Sequence, residues 1–178
     1  DQNGDGCDDI VVGRVWATRT LRNQGLVELR LGSRDGRFTP PVWTLLGRRT
    51  SGVFPRGLLG WPDVNGDGRR ELVVAVEESD APGLAGRRVV ELHLSHGAGF
   101  DSVAACRAVG DRGDASFGNS ECLADVGDVN GDHFDDLLVT SPDQDGDRPG
   151  VGKAELFLGR ADGFGPDPDW RVNGPEPN

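Results

Sequence analysis

Two hydrophobic patterns alternate along the chain, and both predict strands. The first is a short continuous apolar run, which is typical of a strand buried on both faces. The second is a segment of alternating apolar and polar residues, which predicts a strand with one apolar face and a glutamate on the other. The continuous runs are Ile10–Val12, Leu72–Val74 and Leu137–Val139; the alternating segments begin at Val27, Val90 and Ala154 and carry Glu28, Glu91 and Glu155.

Each copy of this pattern is extended by further short segments. A phenylalanine after a Gly-rich turn opens a predicted outer strand, and a short apolar strand precedes the second and third continuous runs. The phenylalanines are Phe38, Phe100 and Phe164, with Trp43, Cys106 and Trp170 at matching places, and the short strands hold Leu58–Leu59 and Leu123–Ala124. The spacing is regular, because 63 residues separate Val27 from Val90 and 64 separate Val90 from Ala154.

Four short strands in about 60 residues are the size of one β-propeller blade with long loops. The sequence therefore predicts an all-β fold of about three consecutive blades, each with four antiparallel strands. The predicted blades span residues 1–52, 53–112 and 113–178, form one partial propeller domain, and the first lacks its opening strand. The 28 glycines and 11 prolines agree with many short strands and turns.

A nine-residue acidic loop precedes each continuous run, and its oxygen-bearing side chains recur at positions 1, 3, 5 and 9. These residues are Asp1, Asn3, Asp5 and Asp9; Asp63, Asn65, Asp67 and Glu71; and Asp128, Asn130, Asp132 and Asp136. Alternating oxygen ligands on a tight turn suit Ca²⁺, which takes six to eight oxygens. Position 7 is Cys7, Arg69 or Phe134, which share no chemistry, so we expect a backbone carbonyl ligand there. The loops predict up to three calcium sites.

These loops differ from an EF-hand, because position 12 is valine in every copy and a strand follows the loop. Acidic turns without metal have a similar composition, but three copies with the same ligand positions favour the metal. We expect loop two to bind calcium most tightly. Loop three has His133 where the others have Gly6 and Gly68, and loop one, the weakest, begins at Asp1.

Charge and composition exclude several functions. The net charge of -11 argues against nucleic acid and an anionic membrane surface as partners, and no segment is long enough to insert into a membrane. No catalytic pattern is present, which predicts that this chain is not an enzyme.

Cys106 and Cys122 are either a disulfide or two free thiols. The tripeptide Arg112–Asp114 spells an adhesion motif near chance frequency, and Asp143, Asp145 and Asp147 resemble half of another loop.

The chain resembles the FG-GAP repeats of the integrin alpha-subunit β-propeller, which also occur in secreted bacterial proteins. Phe117–Gly118 matches the Phe-Gly pair, Ser141–Pro142 partly matches the Gly-Ala-Pro element, and the loops at Asp63 and Asp128 match the calcium loop. In the middle copy, Phe54–Pro55 replaces the Phe-Gly pair and Ala75–Val76 replaces the Gly-Ala part of the second motif.

This resemblance implies a secreted or cell-surface calcium-binding module, extracellular or periplasmic, that acts as a scaffold in adhesion or in binding a protein or carbohydrate at a propeller rim. Because such rings have about seven blades, it also implies that the chain belongs to a longer protein or is completed by another chain. The alternative is a non-catalytic or partly catalytic portion of a secreted hydrolase or lyase that acts on polysaccharide or phospholipid.

Overall fold

A computed structural model of the chain describes residues 1–64, 67–78, 86–143 and 151–174. Within these ranges the regular structure is antiparallel β-sheet, with one 3₁₀ turn at Ser120–Cys122. The first three strands, β1 (Ile10–Arg14), β2 (Leu26–Arg30) and β3 (Trp43–Leu46), form sheet 1 in the order β1-β2-β3.

Sheets 2 and 3 each have four strands and share one topology. The chain continues through β4 (Gly57–Trp61), β5 (Glu71–Glu78) and β6 (Arg87–His93), then a ribbon of β7 (Ser95–His96) and β8 (Gly99–Phe100), then β9 (Cys106–Val109). It ends with β10 (Leu123–Asp125), β11 (Leu137–Ser141) and β12 (Lys153–Phe157), a ribbon of β13 (Gly159–Arg160) and β14 (Gly163–Phe164), and β15 (Trp170–Asn173). Sheet 2 has the order β4-β5-β6-β9 and sheet 3 the order β10-β11-β12-β15. The all-β fold of blade-like sheets is confirmed, while the exact blade boundaries stay predictions.

Strand register is the same in all three sheets. In each sheet an equivalent pair of aliphatic residues lies opposite each other on the continuous run and the alternating strand. The same residue of the alternating strand lies opposite the predicted tryptophan or cysteine on the outer strand. The first pairs are Val11 with Leu29, Val73 with Leu92 and Leu138 with Leu156; the second are Leu29 with Trp43, Leu92 with Cys106 and Leu156 with Trp170. The predicted equivalence of Trp43, Cys106 and Trp170 is therefore confirmed.

Sheet 2 lies between the other two sheets, and each of its faces contributes to a hydrophobic core. The core shared with sheet 1 contains Val27, Leu29, Phe54, Leu72, Val74, Val76, Val89 and Phe100. The core shared with sheet 3 contains Trp61, Val73, Ala75, Val90, Leu92, Ala108, Phe117, Leu123, Leu137, Val139, Phe157 and Phe164. Alternate residues of β5 and β6 thus face opposite neighbours, as the period of two in a strand requires.

This arrangement corrects the prediction that all three continuous runs are buried on both faces. The prediction holds for β5, where Leu72, Val73 and Val74 are buried. It is wrong for β1, which is only half-buried or exposed, and for β11, in which Leu138 is half-buried. Sheets 1 and 3 pack on sheet 2 with one face only, so an apolar run does not distinguish a middle sheet from an end sheet.

The phenylalanines also differ from the prediction, because they do not open the outer strands. Phe100 and Phe164 lie in the small ribbons β7–β8 and β13–β14, and Phe38 forms a single bridge with Gly32. Phe100 turns into the gap between sheets and meets the Trp43 ring edge-on at 5.1 Å between centroids. A Cβ on Gly99 would lie 2.7 Å from Trp43, so the ribbon needs glycine beside its phenylalanine for this close packing.

The three cysteines are free thiols, which decides between the two alternatives for Cys106 and Cys122. Cys106 begins β9, the outermost strand of sheet 2, whereas Cys122 precedes β10, the innermost strand of sheet 3. The two residues therefore lie on opposite edges of their sheets. Burial raises the pKa of the Cys106 thiol to about 11, and the backbone N–H of Phe164 donates a hydrogen bond to its sulfur.

Candidate metal-binding loops

The first aspartate of each loop folds the backbone around its own carboxylate. Asp1 accepts hydrogen bonds from the backbone N–H groups of positions 4, 5 and 6, at 2.7, 3.0 and 2.8 Å. Asp128 accepts the same three bonds at 2.6, 3.1 and 2.8 Å. Asp63 accepts those of positions 5 and 6 at 3.1 and 2.7 Å. These backbone bonds lower the pKa of Asp128, which keeps its carboxylate ionised.

Positions 3 and 5 face each other across the turn. The Nδ2 of Asn3 donates to Asp5 at 3.0 Å, and that of Asn130 donates to Asp132 at 2.8 Å. Asn65, the predicted equivalent in loop two, lies outside the described residues. In all three loops the position-5 aspartate also accepts the backbone N–H of position 7, at 2.9–3.0 Å. The hydrogen bond from Asn3, with that from the Cys7 backbone, lowers the pKa of Asp5.

Position 6 adopts a left-handed backbone in every copy, as the comparison of Gly6, Gly68 and His133 led us to expect. The φ angles are 82° at both glycines and 77° at His133. Since a residue with a Cβ is strained there, loop three holds the common fold at a conformational cost that the other loops avoid. This strain supports, but does not test, the prediction that loop three binds calcium less tightly than loop two.

The position-9 carboxylate connects each loop to the segment that follows the alternating strand. Asp9 accepts the backbone N–H of Gln2 at 2.6 Å and that of Gly32 at 2.8 Å. Asp136 repeats both bonds, from the second loop residue at 2.9 Å and from Gly159 at 2.8 Å. Glu71 accepts the backbone N–H of Ser95. The acid at this position therefore ties the loop to the sheet as well as being a candidate ligand.

Loop two brings its acids closest together. Among the described residues, Asp63, Asp67 and Glu71 form the group in which three carboxylate oxygens lie within 4.8 Å of one another. Glutamate is one methylene longer than the aspartates at position 9 of loops one and three, so it reaches further toward the loop. The donors are hard oxygens, which fit Ca²⁺ and do not select a soft metal.

Ser95 belongs to this site, and sequence reasoning missed it. Its hydroxyl donates to Asp67 at 2.5 Å, and its backbone N–H donates to Glu71. The corresponding residues in the other copies are Gly32 and Gly159, whose backbone N–H groups bond the position-9 acid in the same way. A serine in place of glycine after the alternating strand was the available signal.

The position-7 side chains have no role in common in the loops. Arg69 forms an ion pair with Asp67 at 3.7 Å, the Cys7 side chain hydrogen-bonds Asp5, and Phe134 contributes its backbone N–H to the bond described above. A backbone carbonyl ligand at Cys7, Arg69 and Phe134 stays a prediction.

The other candidate motifs have structural roles or fall outside the described residues. Asp114 of the adhesion-like tripeptide is buried, where it accepts the backbone N–H of Phe117 at 2.9 Å and pairs with Lys153. Its carboxylate is therefore not displayed as an adhesion ligand. Asp143 is described, but Asp145 and Asp147 lie outside the described residues.

Stacked antiparallel sheets, one with three strands and two with four, that carry the same acidic loop directly before β1, β5 and β11 define a β-propeller type of repeat protein. The family described as FG-GAP-like repeat matches residues 1–74, and the family described as FG-GAP repeat matches residues 117–157. The chain therefore belongs to the FG-GAP repeat family, whose repeats are typical of extracellular domains. No curated protein matches the chain significantly. The part of the chain that the structure describes holds no helix with the length and hydrophobicity of a membrane span.

The Phe-Gly pair of the last repeat has a clear physical role. Phe117 is buried in the core between sheets 2 and 3. Gly118 has a φ of 73°, and a Cβ there would lie 2.8 Å from Val90. A phenylalanine that fills the core and a glycine that lets the chain turn against sheet 2 are thus both required at this junction. Phe54 fills the corresponding core between sheets 1 and 2.

Proposed function

We propose that the chain is a calcium-stabilised binding and scaffolding module that works outside the cytoplasm. The observation that carries this proposal is the group of Asp63, Asp67 and Glu71 oxygens within 4.8 Å of one another. Three carboxylates so close together repel one another unless a cation joins them. The same folded loop recurs in copies one and three, which supports a shared role for all three loops.

In this proposal each cation would be held by the carboxylates of positions 1, 5 and 9 and the amide oxygen of position 3. Bound Ca²⁺ supplies charge neutralisation and cross-links the loop; it takes no part in a reaction. The position-9 acid already bonds the segment after the alternating strand, so the ion would stabilise strand pairing as well as the loop. The proposal gives this chain no catalytic role of its own.

The expected stabilisation depends on free calcium. A site with a dissociation constant of about 0.1 mM adds about 1.4 kcal/mol at a free calcium concentration of about 1 mM. Each such site raises the melting midpoint by about 3–5 °C in a domain of this size. Cytosolic calcium is far too low to give this effect, so the proposal includes a secreted or cell-surface location.

The partner in this proposal is a protein or carbohydrate that binds loops at one rim. Trp16 and Leu21 lie on the connection between β1 and β2, and both are exposed. Trp43 and Trp61, in contrast, pack against Phe100 and Phe164. An exposed indole offers an apolar face with a polar N–H, which suits a sugar ring or a protein surface. Trp16 is therefore our first choice for the rim contact.

The test is the melting midpoint in excess Ca²⁺, in EDTA and in Mg²⁺. We expect calcium to raise the midpoint well beyond magnesium. Asp67→Asn should remove the contribution of loop two to this rise, since it deletes one carboxylate charge with almost no change in shape. Asp35→Asn is the matched control, because Asp35 is an exposed turn aspartate that bonds Ser33 and Arg37, outside the acidic loops. Equal midpoints in calcium and EDTA would refute calcium binding.

A further inference from the structure

Three arginines, which we call the arginine cluster, contact one carboxylate at the junction of sheets 1 and 2. The carboxylate of Glu77, on β5, contacts guanidinium nitrogens of Arg49 at 3.6 Å, Arg56 at 2.6 Å and Arg88 at 3.8 Å. These arginines follow β3, precede β4 and lie on β6, respectively. The sequence has no acidic residue from Gly36 to Pro62. Among the described side chains, three guanidinium groups on one carboxylate give a local excess of positive charge, although the net charge of the chain is -11.

The arginine cluster has N–H groups that Glu77 does not satisfy. Arg88 is only 8% exposed, and neither its Nη1 nor the Nε of Arg56 has a hydrogen-bond partner among the described residues. Burial, together with the charge of Arg56, lowers the pKa of Arg88. Asp114, another acid near Arg88, is itself paired with Lys153 at 3.2 Å. Because buried charged donors normally have acceptors, the cluster can accept a further oxyanion.

A cavity of about 100 Å³ lies beside the arginine cluster, since Arg49 and Glu77 both line it. Sheet 1, the segment between β3 and β4, and sheet 2 contribute its walls. The second acid in the lining, Glu91, is paired with Arg48 and Arg107. A cavity of about 150 Å³ holds benzene, so this one suits a single aliphatic side chain. Its apolar lining residues are Leu45, Leu46, Val53, Phe54 and Val76.

The cavity lies at the same end of the sheets as Trp16. Gln24 lines the cavity and accepts the backbone N–H groups of Thr20 and Leu21, which belong to the connection that carries Trp16. The segment between β3 and β4 also bonds this connection, because the backbone N–H of Ser51 donates to it at 2.7 Å. The cavity and the arginine cluster are therefore at the rim to which the proposed function assigns the partner.

We propose that the cavity and the arginine cluster bind an acidic segment of a partner polypeptide, with one aliphatic side chain in the cavity and a neighbouring carboxylate on the guanidinium groups. Arginine binds carboxylates through paired N–H donors, and arginine clusters recognise acidic peptide motifs. A nucleic acid or an acidic polysaccharide supplies the anion without the aliphatic group, and a long acyl chain exceeds the cavity. This inference rests on the proposed function, because it takes a protein as the partner at this rim.

The probe is a fluorescein-labelled peptide with the sequence Gly-Ser-Asp-Leu-Asp-Ser-Gly, which places a carboxylate on each side of one leucine. Fluorescence anisotropy is measured with the whole chain, in excess calcium, at protein concentrations up to about 1 mM, which covers weak complexes. We expect saturable binding. A peptide with serine in place of leucine should bind at least about tenfold more weakly, because burial of the apolar side chain is lost. A peptide with asparagine in place of both aspartates should lose a similar factor, because the charged hydrogen bonds are lost.

Two pairs of protein variants test the two halves of the site. Arg49→Gln removes a charge beside the cavity and should weaken binding of the leucine peptide at least about fivefold. Arg37→Gln makes the same change at an exposed arginine outside the site, so its affinity should equal that of the unchanged chain. Val53→Phe narrows the cavity and should weaken binding at least about tenfold, whereas Val103→Phe, at an exposed valine, should not. Arg49→Gln decides the test if Val53→Phe lowers the melting midpoint.

Three results would overturn this inference: no saturable binding at the highest concentration, equal affinity for the leucine and serine peptides, or unchanged affinity in Arg49→Gln. Displacement of the labelled peptide by an equal concentration of hexagalacturonate would also overturn it, because the arginines would then bind an acidic carbohydrate. The calcium-dependent rise in the melting midpoint is measured separately. A rise in calcium without peptide binding would refute the peptide site and leave the calcium-stabilised module standing.

Discussion

Lys153 is the residue whose replacement we expect to damage the fold most, and it is the only lysine in the chain. Its side chain is 3% exposed, and its Nζ lies 2.7 Å from Asp111, 2.9 Å from Glu155 and 3.2 Å from Asp114. Nζ also lies 5.7 Å from the centre of the Phe117 ring. Asp111 and Asp114 follow sheet 2, whereas Lys153 and Glu155 belong to sheet 3, so one ammonium group joins the two sheets.

Lys153→Met removes this charge but keeps most of the volume. The carboxylates of Asp114 and Glu155, which are 0% and 2% exposed, then face each other with one cation fewer. Removing one partner from a buried ion pair typically costs about 3–5 kcal/mol. Arg171 still contacts Glu155, so we expect a loss near the lower end, about 3 kcal/mol. An exposed ion pair, by comparison, contributes at most about 1 kcal/mol.

The pH dependence of this loss follows from the ionised partners. The hydrogen bond from Lys153 lowers the pKa of Asp111. A carboxylate with a lowered pKa stabilises the fold above its unfolded pKa of about 3.9, and this contribution disappears as the pH falls through the folded value. The difference between the two proteins should therefore be largest near pH 7 and shrink below about pH 4.

Urea unfolding at pH 7 and at about pH 3, below the unfolded pKa of the carboxyl groups, measures this difference directly, because the midpoint and slope give the free energy of unfolding. Arg37→Met is the matched control, since Arg37 is 85% exposed and pairs with Asp35 at the surface. We expect the control to lose less than about 0.5 kcal/mol. A loss below about 1 kcal/mol for Lys153→Met at pH 7, or an equal loss at both pH values, would refute the assignment of Lys153 as a buried link between sheets.

Three further predictions concern single positions. His133→Gly should raise the free energy of unfolding by about 0.5 kcal/mol, because relief of the left-handed strain exceeds the flexibility that glycine adds to the unfolded chain; thermal melting in EDTA measures this gain, and a decrease would contradict it. Gly25→Ala should lower the free energy of unfolding in urea by at least about 2 kcal/mol, since its Cβ would lie 1.9 Å from the Phe54 carbonyl oxygen at a φ of 75°. The control Gly36→Ala has a similar φ but open space around the new Cβ, so its loss should be about half as large. Equal losses in the two variants would contradict the clash. Cys106, with a pKa of about 11, should react with iodoacetamide at pH 8 about a hundredfold more slowly than an unperturbed thiol, because less of it is thiolate. The mass of the denatured, unreduced chain should correspond to three free thiols, and a mass two units lower would reveal a disulfide.

Internal repetition explains why much of the fold was predictable from this one sequence. Three copies of the same pattern act as an alignment, so the register of Leu29, Leu92 and Leu156 with their neighbours follows from spacing. Residues that recur at fixed positions, such as the position-1 aspartates, have the same backbone contacts in each copy. The hydrogen bonds within each nine-residue loop could also be predicted, because the candidate ligands and the backbone groups that they bond lie close together in the sequence.

Contacts between distant segments were not predictable in the same way. The bond from Gly32 to Asp9 crosses 23 residues, and only the folded connection after the alternating strand brings the two together. The place of Phe100 in a ribbon depends on how Trp43 of the preceding sheet packs on Gly99. The partial burial of β1 depends on having one neighbouring sheet, which no pattern within that strand reports.

The buried glutamates show how the same repeat position is satisfied differently at each junction. Glu91 receives a bidentate contact from Arg48 of the preceding copy, at 3.0 and 3.2 Å. The residue at the place of Arg48 in the next copy is Asp111, five positions after the first residue of the outer strand in both cases. Asp111 and Glu155 would then be two acids facing each other at this junction, and Lys153 lies between them. The charge reversal at Asp111 and the lysine at 153 therefore compensate for each other, which explains why the one lysine of the chain is at this junction.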